Sequence, residues 1–98
     1  MKISITRTGK KTKLTMNTPW CRDAMQIADA NGYRRLLVSE IENVNEIYWQ
    51  GIEFNRLLIK DGVVFQFNRW TGDYPFGEIE IEEIGEMNDH LHKSQEET

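Results

Sequence analysis

Three glutamates alternate with isoleucines in Glu78-Ile79-Glu80-Ile81-Glu82, the most distinctive chemical pattern in the chain. Successive side chains of an extended strand point to opposite faces, so Glu78, Glu80 and Glu82 form one row, with neighbours about 6.5–7 Å apart. That spacing approximates phosphates along one nucleic-acid strand, and such a row can steer a basic protein surface. The simpler reading is the wet face of an edge strand, where glutamates discourage edge-to-edge pairing and meet lysines of a neighbouring strand.

A second pattern lies just upstream. In Asn68-Arg69-Trp70-Thr71-Gly72-Asp73-Tyr74-Pro75-Phe76-Gly77, the side chains of Arg69, Trp70, Tyr74 and Phe76 offer planar stacking surfaces and a fork of donors. Gly72 and Gly77 let backbone amides approach a ligand. Trp, Tyr and Arg are also the types enriched at interface hot spots. The competing reading folds these aromatics back onto the core as part of a long hairpin connection.

Other reactive groups lack partners. Cys21 falls near the start of a predicted helix, where a thiol pKa is lowered, but neither His90 nor His92 has a sequence context that brings it close. As the chain's single cysteine it forms no internal disulfide. Asp89-His90-Leu91-His92 resembles a metal cluster, yet it sits in a polar tail without a second shell. Arg7, Lys10, Lys11 and Lys13 can contact phosphates, but residues 1–16 lack the interleaved aromatics of a single-strand binder. No phosphate-binding, dinucleotide-binding or nucleophile-elbow glycine pattern is present. The expectation is a non-enzyme without metal or cofactor.

These residues need elements to position them. Residues 2–6 and 12–16 alternate around Thr8-Gly9-Lys10-Lys11 and predict a first hairpin. A helix is predicted over about 19–31, with Thr18 as N-cap, Pro19 in the first turn and Asn31-Gly32 as stop. Tyr33 to Val38 reads as a strand. Ser39 and Glu42 fit a capping box, and Leu37, Ile41, Val44 and Tyr48 lie at helical spacing. Asn43, Val44 and Asn45 are poor helix formers, so the second helix near 40–49 is weakly signalled. Residues 52–59 and 63–70 flank Lys60-Asp61-Gly62, a strong hairpin signal. A last strand follows at 78–84.

The central hairpin allows a sharper expectation. With Asp61 and Gly62 at the turn, one face carries Phe54, Leu58, Val63, Phe65 and Phe67. The other carries Leu57, Ile59, Val64 and Trp70, with Asn55, Gln66 and Asn68. Both faces are partly apolar, so something must cover the second. The segment 40–49, a second copy of the chain and a partner protein are the candidates, and the intramolecular cover is preferred.

The 98 residues, 39% hydrophobic and 29% charged, are the size and composition of one folded domain. Residues 1–85 are expected to form it, with 86–98 a polar tail. Charge is polarised along the chain, from +5 over residues 1–16 to −7 over 78–98. No apolar run approaches a membrane span, and no signal peptide is apparent, so a cytoplasmic setting is expected. The fold expected is α+β, a mainly antiparallel sheet of five or six strands with the 19–31 helix packed on it. The function expected is stoichiometric binding of another protein, as an inhibitor or adaptor of the kind found among phage and mobile-element accessory proteins. It would use Glu78, Glu80 and Glu82 for steering and the Trp70–Phe76 loop as anchor. The alternative is a small-ligand (nucleotide) binder built on Arg69, Trp70 and Tyr74, at the interface of a homo-oligomer. Nucleic-acid binding through the basic first hairpin ranks third.

Overall fold

The computed structural model describes residues 1–17, 21–71 and 76–87, with Phe76 described by its backbone alone. Its organising feature is the turn at Asp61 and Gly62, whose φ angles of 53° and 79° are both left-handed, as a two-residue type I′ hairpin requires. Strands β4 (Leu57–Lys60) and β5 (Val63–Thr71) leave it in the expected register, Lys60 facing Val63, Ile59 facing Val64 and Leu58 facing Phe65. One face therefore carries Leu57, Ile59 and Val64, and the other Leu58 and Phe65.

Two positions depart from the expected faces. Phe54 leaves the strand in a 3-10 turn, Phe54–Arg56, and packs with the cluster on the Leu57 side. Asn68 is an extra residue in the β5 ladder, so Trp70 pairs with Ile79 on the Phe67 face rather than the Val64 face.

The remaining strands are β1 (Ile3–Ile5), β2 (Lys11–Asn17), β3 (Arg34–Arg35) and β6 (Phe76–Met87), joined with β4 and β5 in one six-stranded antiparallel sheet. β6 runs between β5 and the pair β1 and β2. The first hairpin does not form. Ile5 faces Gly85 and Lys11 faces Glu82, so β1 and β2 run in the same direction along β6. Residues 6–10 loop out between them, tied by Thr6 N–H to the Ile84 carbonyl (2.9 Å) and Glu83 N–H to the Lys10 carbonyl (3.0 Å). Thr8-Gly9-Lys10 thus makes a bulge in one edge strand, with Gly9 at φ 77°, because both flanking segments find better partners on β6 than on each other. β6 extends beyond the expected 78–84 to Met87, which packs against the core, so a boundary at residue 85 falls inside a strand. His90 and His92 lie outside the described residues.

Each sheet face has a cover. Helix α1 (Ala24–Ala30) lays Ala24, Ile27 and Ala28 on Leu14, Leu58, Ile79 and Ile81. It begins later than expected because Asp23 caps it, its Oδ1 accepting from the Gln26 amide at 3.2 Å while the Gln26 side chain accepts from the Arg22 and Asp23 amides. Thr18 and Pro19 lie outside the described residues. The helix stops at Asn31, followed by Gly32 at φ 85°, as expected.

The opposite face is covered by Leu36, Ile41, Ile47 and Ile52, which pack on Ile3, Leu57, Ile59, Val64 and Ile84. The second apolar face is therefore hidden within the chain, and the hairpin needs no second copy for that purpose. The covering segment is less helical than 40–49. A 3-10 turn occupies Val38–Glu40, and helix α2 spans only Val44–Trp49. Asn43 interrupts them because its side-chain amide is used elsewhere. It accepts from Ile3 N–H (3.0 Å) and donates to the Ile3 carbonyl (2.8 Å), pairing with β1 as another strand would.

Glu40, not Glu42, reaches back to an amide, accepting from Leu37 N–H at 2.8 Å. It also receives two donations from the Arg34 guanidinium, at 3.0 and 3.1 Å. The Arg34 hydrogen bonds, then the Leu37 amide, hold the Glu40 carboxyl below the ordinary glutamate range. A depressed folded-state pKa contributes stability above the unfolded value and loses it as pH falls through the folded one. Glu40→Gln should therefore melt below wild type near neutral pH, with the gap closing as pH falls through and below the ordinary glutamate range. Both groups are partly exposed, so the gap is small. A gap independent of pH would mean that the charge of Glu40 contributes nothing.

Candidate interaction surface

Along β6 the face turned away from α1 changes character at one point. Glu78, Glu80 and Glu82 share it, and then a register irregularity opposite Val64 and Phe65 brings Ile84 and Gly85 into line with the covered core. The cover ends over the Glu82–Gln66 cross-strand pair. Gln66 accepts from Glu53 N–H at 3.2 Å, and Arg7 donates through Nη1 to the Gln50 carbonyl at 2.9 Å while its Nη2 lies 3.9 Å from Glu82. Beyond this step lies an open shelf of sheet.

On that shelf the glutamate row is balanced locally. Lys13 is 3.9 Å from Glu78, Asn68 Nδ2 donates to Glu80 at 3.3 Å, and Arg7 attends Glu82. Lys11 faces Glu82, Lys13 faces Glu80, and Arg69 faces Glu80 from the other side. β6 is an inner strand, so the glutamates do not protect a sheet edge. They interleave with the basic residues of β2 and β5, and solvent-facing pairs of this kind contribute at most about 1 kcal/mol each. The basic residues of the first segment are correspondingly spent, since Arg7 and Lys13 both face carboxylates.

Of the expected site residues, Arg69, Trp70, Glu78 and Glu80 do come together, lining with Thr71 a shallow cleft of about 280 Å³. Trp70 is 41% exposed. Glu82 stands one row away, at the foot of the step. The backbone of Phe76 pairs with Asn17, and Tyr74 lies outside the described residues. Cys21 is half-buried, its thiol 3.6 Å from the Asp23 carbonyl. Among the described residues no group of His, Cys, Asp and Glu could hold a metal ion, and no helix is long and apolar enough to cross a membrane.

Among the described residues, the most exposed large hydrophobic side chains were not expected to be so. Trp49 is 82% and Tyr48 63% exposed, their rings edge to face at 5.9 Å with planes 78° apart. Helical spacing places Tyr48 on the buried stripe with Leu37, Ile41 and Val44. The break at Asn43 resets the phase, so Ile47 is fully buried and Tyr48 and Trp49 turn out. The Val44–Ile47 spacing is the sequence signal for this, legible only once the helix start is known. The pair sits on a fastened platform. Ile47 anchors α2 in the core, Asn43 ties its start to β1, and Arg7 binds the Gln50 carbonyl at its end.

A second exposed apolar patch, Leu37 and Val38, borders a cleft of about 370 Å³ with Phe54. No family model, no curated protein and no solved structure matches this chain.

Proposed function

We propose that this chain is a small non-catalytic protein-binding module. The observation that carries the proposal is the solvent-facing Tyr48–Trp49 pair, held on a short helix that is fixed to the sheet at both ends. Tyr and Trp give large contact area for few rotatable bonds, and a rigid platform lowers the ordering cost of association. Trp70, on the opposite, α1-covered face of the sheet, lies outside this surface. An inhibitor or adaptor role fits such a module, and the balanced Glu78, Glu80 and Glu82 row would set register more than on-rate.

The test is co-purification from cells of the chain's own source, comparing wild type with Trp49→Ala, Tyr48→Ala and Trp70→Ala. Loss of a stoichiometric partner in the first two, with the fold retained, is expected. A partner retained at wild-type level in both would remove this surface from the account.

One observation favours a second reading. A cleft of about 280 Å³ is lined by Arg69, Trp70, Thr71, Glu78 and Glu80, and its polar and aromatic lining suits a small planar ligand such as a nucleotide base. A thermal-shift screen with nucleotides should then raise the melting temperature of wild type but not of Trp70→Ala. An unchanged melting temperature throughout eliminates this alternative.

A further inference from the structure

We infer that the Tyr48–Trp49 surface takes a basic segment of its partner, with an arginine side chain seated against the Trp49 ring. The inference rests on the protein-binding reading and adds the partner's chemistry. The two rings stand nearly perpendicular, at 78°, and form an open corner. An exposed aromatic face attracts a cation through its quadrupole, and a flat guanidinium stacks on it with little loss of hydration.

The charges around the corner select the same chemistry. Between Arg35 and Arg56 the chain has no lysine or arginine and four glutamates, Glu40, Glu42, Glu46 and Glu53. Three have cationic neighbours: Arg34 at 3.0 Å from Glu40, the Met1 amine at 3.7 Å from Glu42, and Arg56 at 2.8 Å from Glu53. Glu46 has none among the described residues, and its carboxylate accepts only from Asn43 Nδ2, at 3.1 Å. It lies three residues before Trp49, hence on the same side of α2. Arg7, at the end of the helix, is already engaged by Gln50 and Glu82. A purely apolar partner covering the indole would desolvate Glu46 without compensation, and a phosphate backbone would be repelled by it. An arginine or lysine meets both the ring and the carboxylate.

The test is an NMR titration of the full chain with a synthetic hexa-arginine peptide, with hexa-glutamate as control, following the Trp49 indole N–H assigned by Trp49→Phe. The Trp49 indole is expected to shift with hexa-arginine only. Trp49→Ala should weaken binding about tenfold and Glu46→Gln about threefold, the latter with a shallower salt dependence. Thermal melts would verify that both variants fold. An unmoved Trp49 indole, or equal affinity for Trp49→Ala, overturns the cationic assignment. If that result came with loss of the cellular partner in Trp49→Ala, the protein-binding reading would stand and only the partner's chemistry would fall.

Discussion

Gly85→Ala is expected to destabilise the fold by about 3 kcal/mol, the upper part of the overpacking range. That corresponds to a melting temperature roughly 12–24 °C below wild type for a domain of this size. Gly85 lies between Ile5 of β1 and Val64 of β5. A methyl group there would overlap the Ser4 carbonyl oxygen and stand 3.1 Å from the Ser4 carbonyl carbon and 3.2 Å from Ile3 Cγ2. Backbone held in a ladder cannot yield as a flexible side chain can, so relief requires β1 to lift from β6. That movement would also break the Asn43 bonds to Ile3 and loosen the start of α2. Gly77→Ala offers the contrast, because its methyl meets side chains, Cys21 Sγ at 2.7 Å and Ile27 Cδ1 at 2.9 Å. Its cost should be smaller. Circular-dichroism melts of the two variants provide the comparison, and a Gly85→Ala melt within about 3 °C of wild type would contradict the pairing of β1 with β6.

Ile47→Ala carries the second large expectation, also about 3 kcal/mol. Ile47 is fully buried and is the α2 side chain that enters the core with Leu36, Ile52, Leu57 and Val64, while Val44 packs half-buried against it. Truncation leaves a cavity beneath a helix of only six residues, which packing rather than propensity holds in place. The adjacent Trp49→Ala should change stability by no more than about 0.5 kcal/mol, since its ring faces water. Urea unfolding of the two variants measures both values. Comparable losses would mean that Trp49 packs on the protein, and the interaction surface would vanish with that result.

The parts of the fold legible in the sequence are those set by local chemistry. Asp61-Gly62 determines the central hairpin and its register, and the two apolar faces of that hairpin correctly demand two covers. The alternating Glu78–Glu82 segment is a strand, and Asn31-Gly32 ends the first helix. What local signals do not reveal is which strand pairs with which. Thr8-Gly9-Lys10 looks like a hairpin turn, and only competition from the long β6 turns it into a bulge. Gly85 looks like the end of a strand because glycine commonly marks a turn, yet here it admits β1 against β6. The phase of α2 depends on Asn43, whose bonds lie 40 residues away at Ile3. That long-range tie is why Tyr48 and Trp49 escape notice in the sequence. The bulge at Asn68 likewise moves Trp70 to the face opposite the one simple alternation assigns.

The claim that Tyr48 and Trp49 form the contact surface is tested most directly by a photo-crosslinking amino acid placed in turn at positions 45, 22 and 11 in cells of the chain's own source. All three positions are exposed and lie on different elements or faces, and Asn45 stands one helical turn before Trp49 on α2. A discrete covalent adduct formed from position 45, absent from position 22 and lost when Tyr48 and Trp49 are replaced by alanine, is the result this account predicts. An adduct formed from position 11 or 22 and not from 45 would contradict it.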